Sequence, residues 1–240
     1  MTVVPYKEDH AGKKEQVAKM FDNISGNYDF LNHFLSLGID KLWRKKAVRH
    51  LESIHPKLIL DVATGTGDFA VEALKLNPDK IIGIDISEGM LAVGRKKMVK
   101  LGYDTRIELR NGDSEKLPFE ENKFDAIVVG FGVRNFENLE KGLSEMLRVL
   151  KPGGKVVVLE FSKPTVFPLR QLFHFYFRFI LPKIGKWVSH DSSAYTYLPE
   201  SVQAFPDGKA FTLILSQVGF KNTTCTPLTF GISSLYTGIK

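Results

Sequence analysis

Short apolar runs recur through the middle of the chain and alternate with longer helix-like stretches. The runs "KLILDVA", "KIIGIDI", "TRIELRNGD", "FDAIVVG" and "KVVVLEF" predict five strands. Brief β-branched segments bounded by turn residues suit strands buried on both faces. Between them, "GDFAVEALKLN", the stretch from Glu88 to Leu101 and "NLEKGLSEMLRVL" predict helices. Such alternation implies a parallel sheet with helices on both faces. The pattern then changes. A helix near Gly208 to Val218 ends at Gly219, and "FKNTTCTPLTF" and "ISSLYTGIK" follow as two strands around Gly231, a spacing that suits an antiparallel hairpin. Residues 11 to 51 read as helices ahead of the sheet, and an aromatic-rich insertion follows the fifth strand. Both additions fall at the carboxyl edge of the strands, where open α/β sheets bind ligands.

Composition narrows the class without naming a function. The 240 residues suit one domain with length enough for a real core, and 43% hydrophobic with 25% charged residues is the balance of a soluble globular protein. A formal charge of +6 points to an anionic cofactor, a membrane surface or nucleic acid. The basic residues are scattered, with no basic stripe, which argues against nucleic acid. One cysteine, Cys225, excludes an internal disulfide and favours a reducing compartment. The opening "MTVVPYKEDHAGKKEQ" has no apolar core of a signal peptide, and no run reaches the ~18 apolar residues of a spanning helix. The expectation is a cytoplasmic protein.

"LDVATGTGDFA" joins the first strand to the first helix. Gly65 and Gly67 let the backbone bend sharply and approach a ligand without a Cβ. Asp85 follows 18 residues after Gly67, at the tip of the second strand, where a carboxylate can accept both ribose hydroxyls. A nucleoside cofactor is expected, and a nicotinamide dinucleotide is the rival to S-adenosylmethionine. Three features favour the methyl donor. Asp61 precedes the glycines, where its charge suits an ammonium or sulfonium rather than a pyrophosphate. "NGDSEKLPF" sets Asp113 and Ser114 after strand three, apt for adenine. The closing hairpin supplies an antiparallel edge strand that a two-half dinucleotide fold does not need.

These residues resemble a known family, the menaquinone/ubiquinone C-methyltransferases, which act on polyprenylated quinol precursors. "YDFLNHFLSLGIDKLW" is similar to the family's N-terminal signature, a Tyr-Asp-x-Met-Asn start and a later His-x-x-Trp. Leu31 stands where Met is usual and Asp40 where His is usual, so position 40 is given no catalytic duty. "RVLKPGGKVVVLEFS" matches a second signature from Arg148 to Ser162, and "DVATGTGD", "GDSEKLPF", "FGVRN" and "YLPESVQAFP" also fit. Ala63 replaces the first glycine of the general motif. The resemblance covers most of the chain. It implies a Rossmann-like class I methyltransferase of α/β class: a mostly parallel seven-stranded sheet with an antiparallel C-terminal hairpin. The single domain, 1–240, then divides into an N-terminal helical cap over the cleft (1–51), a cofactor-binding core (57–161), a substrate-side insertion (164–198) and a C-terminal helix and hairpin (199–240). Thr66, Asp85, Asp113 and Ser114 are implied to line the cofactor site, and Ile86, Met90 and Gly112 join the candidate set beside them. Many members carry Ser at the position of Gly130, so the hydroxyl contact is not implied here, and Gly130 itself stays in the cofactor-binding set.

Methylating a ring carbon needs an electron-rich aromatic, which a hydroquinone becomes when a phenol ionises and charge delocalises to the ortho carbon. Arg134, just past the fourth strand, is a poor base because guanidinium stays protonated. As a fixed cation it would lower the phenol's pKa and stabilise the developing charge. Asn135 could orient the same oxygen. The alternatives are that Arg134 pairs with a carboxylate and that Asn135 caps the helix beginning near Glu137. Tyr28 completes the catalytic candidates, four residues from Asn32 on a helix that could fold over the cleft. "LFHFYFRFILPKIGKW" reads either as a buried lid helix or as a surface lining a prenyl tunnel or touching the bilayer. The expected reaction is S-adenosylmethionine-dependent conversion of demethylmenaquinol to menaquinol. Its alternatives are a ubiquinone-pathway methylation, a nicotinamide-dependent oxidoreductase and a non-catalytic binding protein. No metal and no nucleic acid are expected, transient contact with the inner face of the membrane is, and dimerisation is left open.

Overall fold

The structure, a computed structural model, describes residues 3–27, 36, 38–176, 179 and 193–240. Seven strands form one sheet: β1 (Leu58–Val62), β2 (Lys80–Asp85), β3 (Ile107–Asn111), β4 (Phe124–Gly130), β5 (Leu150–Phe161), β6 (Lys221–Leu228) and β7 (Ser233–Ile239). Their order is β3-β2-β1-β4-β5-β7-β6. The first five pair in parallel, and β7 runs antiparallel to both β5 and β6. The helices are α1 (Lys13–Ile24), α2 (Ile39–Arg49), α3 (Asp68–Ala73), α4 (Glu88–Leu101), α5 (Leu139–Val149), α6 (Leu169–Phe175), α7 (Ser193–Ala204) and α8 (Lys209–Val218).

Side-chain alternation along the strands builds two cores. Ile127 and Val129 of β4 face the cluster that holds Leu143 and Met146 of α5 with Phe211 and Leu215 of α8. Ala126 and Val128 face the other, with Trp43 and Ala47 of α2, Phe69 of α3 and Leu91 of α4. A third, smaller cluster joins α1 to α7 through Val17, Met20, Ala194, Tyr195 and Tyr197.

Two boundaries differ from the expected ones. β5 begins at Leu150 rather than Lys155, because Leu150 pairs with Phe124 before the register shifts and Lys155 resumes opposite Ala126. The "KPGG" stretch between them is a bulge that no apolar periodicity announces. α3 is only six residues long and tightens into a 3₁₀ turn at Leu74–Leu76.

Candidate active site

The turns after β1, β2, β3 and β4 gather at the carboxyl edge of the sheet, at the β1/β4 boundary where the strand order reverses. The first is built from left-handed backbone: Ala63, Gly65 and Gly67 have φ of 53°, 57° and 85°. Gly65 takes this conformation without cost, and its N–H donates to Asp85 Oδ2 at 2.8 Å, tying the first turn to the second. Ala63 holds it with a side chain, a strain of about 1 kcal/mol or more that only a rigid surround keeps in place. Gly67 caps α3 and does not line the cleft.

A cleft of about 650 Å³ opens there. Ala63 and Gly65 line it from the first turn, and Asp85, Ile86 and Met90 from the second. Gly112, Asp113 and Ser114 follow from the third, and Gly130 and Asn135 from the fourth. A second cavity of about 390 Å³ shares Ala63, Gly65, Gly130 and Phe131 with it and adds Asp61, Thr66, Asp68 and Arg44. Gly130 belongs with its neighbour Phe69: a Cβ there would come within 2.9 Å of the Phe69 ring.

Asp61 is fully buried at the end of β1. Its Oδ2 accepts from Thr64 Oγ1 at 2.6 Å and from Ala70 N at 3.1 Å, while Oδ1 has no partner. Burial outweighs those hydrogen bonds and pushes the carboxyl up to about 7. Asp85 is also raised by burial, against hydrogen bonds from the N–H groups of Ser87 and Gly65. Arg44 reaches the second cavity from α2, gripped by Asp40 on its own helix and by Asp68 at 3.1 Å. Asp40, where an imidazole is usual, thus positions a guanidinium, and Ser36 Oγ donates to it at 2.6 Å.

Three residues of α1 that were not among the candidates share this site. Lys14, Val17 and Phe21 line the cleft. Lys14 Nζ donates to Asp113 Oδ2 at 2.7 Å, and Lys13 Nζ donates to the carbonyls of Arg134 and Phe136 at 3.1 and 2.8 Å. Burial and the adjacent Arg134 lower the Lys13 ammonium.

The fourth turn corrects one expectation and redirects another. Asn135 does not cap the following helix; α5 starts at Leu139, and Asn138 Oδ1 accepts from Lys141 N at 2.9 Å. Asn135 instead lines the cleft with a buried, unpartnered Oδ1. Arg134 is absent from the cleft lining; its side chain, 8% exposed, pairs through Nη1 with Glu160 Oε1 at 2.7 Å and lies over the Phe161 ring. Nη1 also donates to the Phe131 carbonyl, whereas Nε has no partner. Glu160 is fully buried, and burial raises its carboxyl despite Arg134. A charge inside the apolar run "KVVVLEF" was the signal for it. Tyr28, the third catalytic candidate, lies outside the described residues.

Among the described residues, four buried side-chain polar atoms lack a hydrogen-bond partner: Asp61 Oδ1, Arg134 Nε, Asn135 Oδ1 and Tyr197 OH. Orphaned groups are rare in folded interiors. Asp61 and Asn135 line the two adjoining cavities, so at least these two face space that a ligand could fill. An unpartnered carboxylate oxygen sharing a small cavity with a guanidinium suits the amino and carboxylate ends of an amino acid, and so fits S-adenosylmethionine.

Comparison with known proteins gives the same direction. The sequence profile described as the ubiE/COQ5 methyltransferase family matches residues 9–240. A demethylmenaquinone methyltransferase of Bacteroides fragilis is 52% identical over 240 residues, 99% of this chain and 97% of that one. A ubiquinone/menaquinone biosynthesis C-methyltransferase of Geobacter sulfurreducens is 44% identical, covering 95% of this chain and 90% of its own. Among solved structures, an S-adenosylmethionine-dependent methyltransferase of Thermotoga maritima superposes with a TM-score of 0.64 at 18% identity, covering 92% of this chain and 98% of that chain, which speaks for the fold alone.

Proposed function

The chain belongs to the ubiE/COQ5 methyltransferase family, and on that premise we propose that it methylates a ring carbon of demethylmenaquinol, using S-adenosylmethionine. The observation that carries the cofactor is the unpartnered Asp61 oxygen in a cavity that also holds Arg44. Asp61 would take the ammonium and Arg44 the carboxylate. Asp85 would accept the ribose hydroxyls, and Asp113 and Ser114 would meet the adenine, with Lys14 giving way at Asp113. When bound, the cofactor supplies an electrophilic methyl group. A nicotinamide dinucleotide fits less well, because Asp68 puts a carboxylate at the α3 N-terminus where a pyrophosphate would sit.

The protein's part is to hold the ring, favour its phenolate and keep water out. Arg134, fixed by Glu160, lends positive charge to the phenolate, and Asn135 Oδ1 accepts from a ring hydroxyl. Val17 and Phe21 of α1 supply apolar cover. The menaquinone substrate is favoured over a ubiquinone precursor by the 52% identity to the demethylmenaquinone enzyme.

A polyprenyl substrate has to be reached in the bilayer. Val166, Phe167, Leu172, Phe175 and Phe179 are exposed on and beside α6, with Arg170 among them. This apolar and basic surface favours contact with anionic lipid at the inner face of the membrane. Among the described residues no helix is long and apolar enough to cross it. Mass spectrometry of demethylmenaquinol presented in anionic vesicles tests the reading. A methylated product that needs S-adenosylmethionine is expected; tight NADH binding with no methylation would overturn it.

A further inference from the structure

Tyr197 opens the "YLPESVQAFP" stretch and has no part in the chemistry described so far. It sits on α7 at 3% exposure, in the cluster that α7 makes with Val17 and Met20 of α1. Val17 is itself part of the cleft lining. α7 also packs on the 3₁₀ turn Val133–Asn135, and the charges of Arg134 and Glu160 both act on the Tyr197 phenol. α1 offers this region the apolar groups Val17, Met20 and Ile24, and one cation, Lys13, whose Nζ donates to the Arg134 carbonyl at 3.1 Å. No group among the described residues bonds to the hydroxyl.

A hydroxyl buried without a partner costs stability, and the chain could have avoided that cost with phenylalanine. Two further orphans lie on the turn that α7 packs against, Arg134 Nε and Asn135 Oδ1. Together the three are two donors and one acceptor. A singly ionised hydroquinone is their complement, with one phenolate oxygen to accept and one hydroxyl to donate.

We propose that Tyr197 is a catalytic hydrogen-bond donor whose hydroxyl meets the ionised oxygen of the quinol ring, with Arg134 charge beside it and Asn135 accepting from the second ring hydroxyl. The inference rests on the quinol-methylation reading. Burial pushes the Tyr197 phenol up to about 12, so it keeps its proton at working pH and serves as donor, not base.

Tyr197→Phe separates this role from packing, since it keeps the ring and removes an oxygen that bonds to nothing in the free protein. Calorimetric affinity for S-adenosylhomocysteine is expected to stay within about twofold, and Tm to hold or rise. Loss of one preorganised donor should cut kcat by about 100-fold. The acid limb of the kcat profile should move up by about one pH unit, because the bound phenol ionises with less help. Turnover within about threefold of the native protein would overturn the proposal, and so would a fall in Tm and cofactor affinity that tracks the loss of activity. A native protein that never methylates the quinol would sink the reaction reading first and this inference with it.

Discussion

Asp61 and Arg134 both hold buried charge at the site, and they make opposite demands on the fold. The Asp61 carboxyl lies near 7, above its unfolded value of 3.8, because burial disfavours the anion. The protonated form therefore favours folding: its contribution is full below about pH 4 and lost as pH rises through about 7. A bound ammonium reverses that preference. Affinity for S-adenosylhomocysteine should therefore weaken below about pH 7, approaching tenfold per unit, with proton release on binding visible at about pH 6 in buffers of unlike ionisation enthalpy. Asp61→Asn should hold or raise Tm at about pH 8 while weakening binding roughly 10- to 100-fold. A pH-independent affinity would separate Asp61 from the ammonium. Arg134 carries the reverse liability. Its removal strands Glu160, which is fully buried, so Arg134→Ala should cost about 3–5 kcal/mol in urea unfolding on top of any loss of turnover. Adding Glu160→Gln should recover a large part of the stability and none of the turnover; recovery of neither would show that the two do not act as a pair.

At the scale of elements, α1 is the part that binding must disturb. Lys13 and Lys14 fasten it to the turns after β4 and β3, and Asp22 Oδ1 accepts from Ser87 Oγ at 2.6 Å and from Gly89 N at 2.8 Å, at the start of α4. An acidic group at a helix N-terminus is favoured by the exposed N–H groups and the dipole there. Asp22→Ala removes both bonds without touching the cleft lining, a loss of about 1–3 kcal/mol in α1 docking. Stopped-flow release of S-adenosylhomocysteine should then quicken by about tenfold, with KM for the cofactor raised and kcat little changed. Unchanged release would mean that α1 does not gate the cleft. A helical cap over the cleft was expected from residues 11 to 51, but the contacts that hold α1 were not readable beforehand. The strands and α4 were legible because their apolar runs end at glycines or charges, and the loop residues Gly65, Asp85 and Asp113 because they sit where such sheets bind ligands. Lys14 and Asp113 meet across 99 residues of sequence, and no local pattern records such a contact. Asn135 and Asn138 illustrate the same limit: either suits a cap, and only the start of α5 decides between them.

For the whole molecule, the question is whether the C-terminal hairpin is an addition to the cofactor core or part of it. β7 lies between β5 and β6, so the last strand of the chain is interior to the sheet. Its alternating residues serve both faces: Tyr236 belongs to one core and Leu235 to the other, each fully buried. Ser233 Oγ donates to the Glu160 carbonyl at 2.8 Å, so the hairpin also braces the strand that anchors Arg134. Trp43 of α2 donates through Nε1 to Thr229 Oγ1 between β6 and β7 at 2.8 Å, linking the N-terminal helices to the same hairpin. A sheet joined in this way should unfold as one unit. Leu235→Ala opens a hole in a core that β4, α2 and α4 share, at a cost of about 2–5 kcal/mol. The urea midpoint should fall at nearly constant slope, with tryptophan fluorescence and far-ultraviolet circular dichroism moving together. The folded fraction should still bind S-adenosylhomocysteine, because Leu235 does not line either cavity. If fluorescence changed first while most of the dichroism and the cofactor binding survived, the hairpin would be a separable element, and its bracing of Glu160 would not be needed to form the cofactor site.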